Sequence, residues 1–217
     1  MKKVFLLMAV CAVMLSACSD KKKEGVITYQ LSYQLPDSLT SFAAYLPKHA
    51  HAYFKGDSVA SVQGTDEEST TMITYHPTGY LLCLLKSGMK RFQVQYSLEE
   101  QKKELPDMSL YEFTRGRTDL KIAGYAAQQY IMKNKFSGDT TSAWFTHDIE
   151  VPPNYLTAMF KPEFGTPLRF SINQNGMVTE TSFKEIRYEP VPAGIFVAPP
   201  GYKKMTPSEL NEMPVGN

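Results

Sequence analysis

The sequence predicts a mainly β, α+β fold: one curved antiparallel sheet with short helices on its concave face. Three observations lead there. Val26 to Leu35 alternates without a break, with Ile27, Tyr29, Leu31, Tyr33 and Leu35 on one side and Thr28, Gln30, Ser32 and Gln34 on the other. Turn signals then recur at hairpin spacing: Gly56-Asp57, Pro77-Thr78-Gly79, Ser87-Gly88, Ser137-Gly138-Asp139 and Gln174-Asn175-Gly176. Helical periodicity is confined to short stretches, so helices cannot form the framework.

Taken in order, Pro36-Asp37-Ser38 ends the first strand. Leu39, Phe42, Ala43 and Leu46 follow at i, i+3, i+4 and i+7, which predicts a helix over Ser38–Leu46, capped by Asp37 or Ser38 and stopped by Pro47. A helix this short depends on packing its apolar stripe, and the sheet is the surface expected to receive it. Strands are predicted over 50–55, 58–63, 70–76, 80–86 and 89–96. The run Tyr80-Leu81-Leu82-Cys83-Leu84-Leu85 is apolar throughout, as in a strand covered on both faces. Ser97 and Glu100 have capping-box spacing for a helical turn. Further strands are expected over 110–115, 120–123, 125–133, 140–148, 168–173 and 177–188. Asn154–Phe160, after Pro152-Pro153, reads as a short helix capped by Asn154. Pro190, Pro192, Pro199 and Pro200 exclude a regular central strand between them. Thr206-Pro207-Ser208-Glu209 marks a short terminal helix.

The chain opens with Lys2 and Lys3, an apolar run from Val4 to Leu15, and the small residues Ser16 and Ala17 before Cys18. The run has 12 residues, whereas a membrane-spanning helix needs roughly 20. The pattern fits a bacterial lipoprotein signal. Residues 1–17 are expected to be the signal peptide and 18–25 a lipidated cysteine and tether. Residues 26–217 are expected to be a single domain in a mature chain of 217 − 17 = 200 residues. Cys18 would carry a diacylglyceryl thioether and an amide-linked fatty acid such as palmitate, and two or more chains make such an anchor stable. Ser19, rather than aspartate, follows the cysteine, which points to the outer membrane of a Gram-negative bacterium; the periplasmic face is the expected side.

The chain holds 23 basic and 22 acidic residues, and loss of Lys2 and Lys3 leaves 21 against 22. A near-neutral domain is a poor nucleic-acid binder. Of Cys11, Cys18 and Cys83, the first leaves with the signal and the second is lipidated, so no internal disulfide is expected.

Several short stretches resemble the DUF4412-type and GLPGLI-type bacterial envelope proteins: Gly25-Val26-Ile27-Thr28-Tyr29, Lys121-Ile122-Ala123-Gly124-Tyr125, Ala143-Trp144-Phe145-Thr146-His147-Asp148-Ile149, and Phe196 with Pro200-Gly201-Tyr202-Lys203. These families are similar in outline to the LolA-like and LolB-like half-barrel. The resemblance implies an eleven-stranded antiparallel half-barrel with a helix plugging its apolar concave face, a cavity that receives acyl chains, and no catalytic residues. Ala126 and Ala127 stand where the families often have a cysteine, so a cysteine-linked role is not implied.

Other candidate sites are weaker. His49 and His51 share a strand face and, with His76 or His147, would make an imidazole metal site, but no carboxylate or thiolate stands at diagnostic spacing. Trp144, Phe145 and the tyrosines would suit a stacking platform for a sugar, although strand aromatics more commonly form core. Cys83 lies in an apolar run without an adjacent base, which keeps a thiol inert. No Gly-x-Ser-x-Gly occurs. Glu99-Glu100 and Asp66-Glu67-Glu68 sit in polar stretches as solvated charges. The expectation is therefore a membrane-anchored, non-catalytic lipoprotein needing neither cofactor nor metal, lipidated at Cys18. An apolar ligand, a lipid or acyl chain, is expected at the concave face under Leu39, Phe42 and Leu46. The alternatives are a metal- or glycan-binding module, or a solid-cored lipoprotein acting through an envelope protein partner.

Overall fold

The computed structural model describes residues 23–104, 106–174 and 176–212. The expected signal segment 1–17, the expected lipidation site Cys18 and the expected tether as far as residue 22 lie outside the described residues. Among the described residues the strands are β1 (Glu24–Gln34), β2 (His49–Lys55), β3 (Ser58–Gly64), β4 (Glu68–Tyr75), β5 (Tyr80–Ser87), β6 (Lys90–Tyr96), β7 (Tyr111–Arg115), β8 (Leu120–Ile122), β9 (Tyr125–Asn134), β10 (Thr140–Thr146), β11 (Thr166–Gln174), β12 (Met177–Arg187) and β13 (Lys203–Met205). They form one open, curved 13-stranded sheet in the order β13-β6-β5-β4-β3-β2-β1-β12-β11-β10-β9-β7, with β8 paired to β9. The alternation of Val26–Leu35 thus becomes the middle of the sheet, hydrogen-bonded to β2 on one side and β12 on the other. Register shifts at Thr28/Tyr29 against β12 and at Trp144/Phe145 against β11 insert extra residues. Bulges of this kind bend a strand and increase twist, which curves the sheet.

The strand count exceeds the eleven that the resemblance implies, and one pair breaks the antiparallel rule. β13 runs parallel to β6. Its three residues follow the proline-rich stretch 188–202, too short and too proline-flanked for periodicity to register them. That stretch crosses the outer face, where Ile195, Phe196, Ala198 and Tyr202 pack on Ala60, Ile73, Leu82 and Leu84. On the other face Leu81 and Cys83 pack with Met205 and Leu210. The apolar run in β5 is therefore covered on both sides, as its composition requires.

Two capping boxes form. Ser97 Oγ accepts from Glu100 N–H at 3.3 Å while Glu100 Oε2 accepts from Ser97 N–H at 2.7 Å, opening α1 (Leu98–Glu104). Thr206 and Glu209 do the same for α2 (Pro207–Asn211).

The segment expected to plug the inner face does not do so. Asp37–Tyr45 is a 3-10 helix with no side-chain cap at its start and no buried residue. Leu39, Phe42 and Tyr45 are 36%, 48% and 84% exposed. A 3-10 helix has three residues per turn, so i, i+3 and i+6 eclipse one another. Leu39, Phe42 and Tyr45 consequently form a single outward row. The inner face is instead taken by residues 149–164. Phe160 and Phe164 enter an aromatic cluster with Phe113, Tyr130, Phe145 and Phe170, mostly edge-to-face, with Phe160 and Phe145 centroids 5.1 Å apart. Leu156, Ile149 and Val151 pack against the cluster of Ile27, Tyr29, Leu31, Ala50, Ala52 and Phe54.

The two-residue turn Ala123-Gly124 joins β8 to β9 with both residues at positive φ, 48° and 92°. Ala123 is strained there, because its Cβ crowds the following carbonyl. Ala123→Asn, giving the Asn-Gly pair that such turns favour, is expected to raise unfolding stability by about 0.5–1 kcal/mol in urea titration. In the same assay Phe160→Ala is expected to cost about 3–5 kcal/mol, whereas Phe42→Ala, on the exposed row, should stay within about 0.5 kcal/mol of the parent.

Candidate functional site

The candidate site is the inner face of the sheet together with the segment that covers it. Pro152-Pro153 stops regular structure, and the chain then makes successive turns rather than the helix expected over Asn154–Phe160. Asn154 organises their start. Its side chain caps the first turn, with Oδ1 accepting from Leu156 N–H at 3.0 Å, and its own N–H donates to Thr157 Oγ1 at 3.0 Å. Its Nδ2 donates to the Tyr29 hydroxyl at 2.9 Å. Tyr29 sits in the middle strand and Asn154 in the plug, and both are 1% exposed. Buried amides and phenols persist only when bonded, so this pair fixes the plug's position over the sheet. Three further latches reinforce it. His76 Nε2 lies 2.7 Å from Pro153 O, Ser61 Oγ accepts from Tyr155 N–H at 3.3 Å, and Thr166 Oγ1 donates to Ile149 O at 2.9 Å.

The plug leaves a cavity on either side. The near cavity lies at the end where the chain enters β1. It measures about 810 Å³ and has a floor of Tyr29, Phe54, Ile149, Val151, Thr157 and Phe160. Lys23, Asp57, His76, His147, Glu150 and Lys161 also line it and are solvent-exposed, which places them at the rim. The distal cavity lies toward the other end of β1. It measures about 270 Å³ and is lined mainly by Leu31, Tyr33, Leu46, Leu156, Met159, Phe170 and Ile172. Burial pushes the Tyr33 phenol up to about 12, and its hydroxyl donates to Pro47 O at 2.9 Å. Burial also raises the Tyr29 phenol, against a smaller lowering from Asn154. Both rings therefore stay neutral and present apolar faces.

Of the ligand residues expected from the sequence, Leu46 lines the distal cavity, while Leu39 and Phe42 line neither and face outward. Cys18 lies outside the described residues. The floor residues Tyr29, Phe54, Leu156, Met159 and Phe160 were not expected as a site. The only local signal for Leu156, Met159 and Phe160 is an apolar stretch after a proline pair, and that signal does not say what it covers; Tyr29 and Phe54 read as ordinary strand residues.

The histidines divide. His49 and His51 lie on the outer face of β2, opposite Ala50 and Ala52, with Thr28 Oγ1 3.4 Å from His51 Nδ1. Burial, then His49 and Arg187, hold the His51 imidazole below its usual range. His76 and His147 are on the near-cavity rim. The four do not assemble into one imidazole site. Among the described residues no group of three or more His, Cys, Asp or Glu side chains is arranged to hold a metal. Phe145 is fully buried core, and the Arg169 guanidinium lies over the Trp144 ring, 5.8 Å from its centroid. The sugar-stacking pair is therefore not formed: one ring is inside and the other is covered. Cys83 is buried in β5.

No family model matches the chain, and no curated protein does. Among solved structures, PNGF-II superposes with a TM-score of 0.50 at 13% identity over 87% of this chain and 31% of its own. MucB in complex with MucA(peri) gives a TM-score of 0.39 at 10% identity over 84% of this chain and 57% of MucB. The chain thus spans about a third of the PNGF-II chain, and at this identity the likeness concerns the fold alone.

Tyr29→Phe is expected to lower stability by about 1–3 kcal/mol, because it strands the Asn154 amide in the interior. The cost should be accompanied by faster amide exchange in 149–164, the covering segment, and by unchanged exchange in β5.

Proposed function

We propose that this is a lipid-anchored, non-catalytic envelope protein of the kind its sequence resembles, held at the outer membrane through Cys18, with an apolar ligand bound between the sheet and its plug. The observation that carries this reading is the distal cavity. Its apolar walls are Leu31, Leu46, Leu156, Met159, Phe170 and Ile172, Tyr33 adds a neutral ring whose hydroxyl is already bonded, and Gln63, Gln174, Thr179 and Thr181 supply the polar part of the lining. The apolar part of this wall favours an alkyl chain, whose burial against it removes apolar surface from water. At about 270 Å³ it is close to the lower end of ligand pockets and suits a single chain or part of one. The plug is held mainly by hydrogen bonds and side-chain packing, not by strand ladders, so it is the part of the fold best able to yield to a ligand.

A second reading has its own observation. The row Leu39, Phe42 and Tyr45 is exposed beside the distal cavity, with Asp37 the only charge in its helix. An envelope protein partner covering that row accounts for it without any ligand inside.

The detergent-free mature domain carrying Cys18→Ala is expected to bind a fluorescent fatty acid. Met159→Trp, which fills the distal cavity, is expected to weaken binding about tenfold or more. Native mass spectrometry that finds only apo protein, together with no uptake of the probe, would leave the partner reading standing. The full-length chain is expected in the membrane fraction and its Cys18→Ala variant in the soluble fraction.

A further inference from the structure

The near cavity lies where the chain enters the fold. Lys23 lines it, and the Lys23 carbonyl accepts from Gly56 N–H at 2.8 Å. The next residue is clamped twice. Glu24 pairs with Lys55 Nζ at 2.9 Å and accepts from Val191 N–H at 2.8 Å. Those partners, the Val191 amide first, hold the Glu24 carboxyl below the usual range, so the clamp is charged at neutral pH. The origin of β1 is therefore fixed beside the cavity. Cys18 stands five residues before Lys23, a stretch that reaches at most about 18 Å. Whatever Cys18 carries stays beside the mouth, at an effective concentration in the millimolar range for so short a linker.

We infer that the near cavity receives one of the acyl chains on this protein's own Cys18, the amide-linked one, while the two diacylglyceryl chains remain in the bilayer. The inference rests on the lipid-anchor reading above. Two chains suffice for stable anchoring, so a third is free to leave the bilayer without releasing the protein. The cavity fits the occupant in size and in the distribution of its polarity. Its 810 Å³ lies within the range of ligand pockets. The floor is Tyr29, Phe54, Ile149, Val151 and Phe160, and the Tyr29 hydroxyl is engaged by Asn154. The charged groups Lys23, Asp57, Glu150 and Lys161 are exposed at the rim, where the polar tether would pass. A lipid from the bilayer would have to compete with a chain that cannot diffuse away. Occupancy would also hold the domain with its near end toward the membrane.

The test compares three full-length proteins on phosphatidylethanolamine–phosphatidylglycerol vesicles by hydrogen exchange. They are the lipidated chain, its Cys18→Ala variant mixed with the same vesicles, and a lipidated chain with a twenty-residue Gly-Ser insert after Lys21. Exchange across 149–164 is expected to be about tenfold slower in the lipidated chain than in Cys18→Ala, with the insert recovering part of the difference as effective concentration falls. The insert lies outside the domain and leaves its fold unchanged. Val151→Trp, which fills the cavity, is expected to exchange at one rate in the lipidated chain and in its Cys18→Ala form. Equal exchange in the lipidated and Cys18→Ala chains, with acylated Cys18 seen by mass spectrometry, would overturn this inference and leave the anchor intact. An unacylated Cys18 would overturn the anchor and this inference together. Neither result bears on fatty-acid binding in the distal cavity.

Discussion

A sheet this wide that does not close into a barrel leaves an apolar inner face, and covering that face is the constraint the rest of the structure obeys. Ile27, Tyr29, Leu31, Phe54 and Phe183 all point the same way. Strand pairing satisfies their backbones but does nothing for their side chains. The cover comes from one irregular segment, 149–164, and irregular backbone over an apolar face brings its own polar groups, which must also be satisfied. Asn154 does most of that work with a single side chain, capping a turn on one side and bonding Tyr29 on the other.

A cover made of turns cannot match the sheet as closely as a helix of regular pitch. The mismatch is what leaves space on both sides of the plug. Thr157 and Phe160 look toward one cavity, Leu156 and Met159 toward the other, and the sheet residues beneath, Tyr29 and then Leu31 and Tyr33, lie on one strand face. The two cavities are thus compartments of one groove, divided by residues held in place chiefly by buried hydrogen bonds and an aromatic cluster.

What was legible in the sequence was local. The alternation of Val26–Leu35 gave β1 its two faces, Pro-Thr-Gly and Ser-Gly placed the β4–β5 and β5–β6 connections, and the Ser97/Glu100 and Thr206/Glu209 spacings located α1 and α2. Each of these depends on residues a few positions apart. Which segment covers a sheet depends on partners a hundred residues away, and there the reading went to 38–46 in place of 149–164. The stripe Leu39, Phe42, Ala43, Leu46 fits an α-helix, yet Leu39, Phe42, Tyr45 fits a 3-10 row equally well, and only the prior claim of Phe160 and Leu156 on the inner face decides between them. Of the site itself, Leu46 was visible as part of that stripe. Tyr29 and Phe54 looked like ordinary strand core, which they also are. β13 escaped because three residues beside prolines carry no period.

The position of β1 has a mechanical consequence. A load applied through the N-terminus enters a strand that lies mid-sheet and is bonded on both sides, along its own axis. Such a load shears two ladders at once, so many hydrogen bonds must fail together. Had the chain entered at an edge strand, as at β7 or β13, the same load could peel bonds away one after another. The double clamp on Glu24 stands at the point where that force arrives. A domain built this way resists a pull through its N-terminus far better than its irregular plug resists being pushed aside.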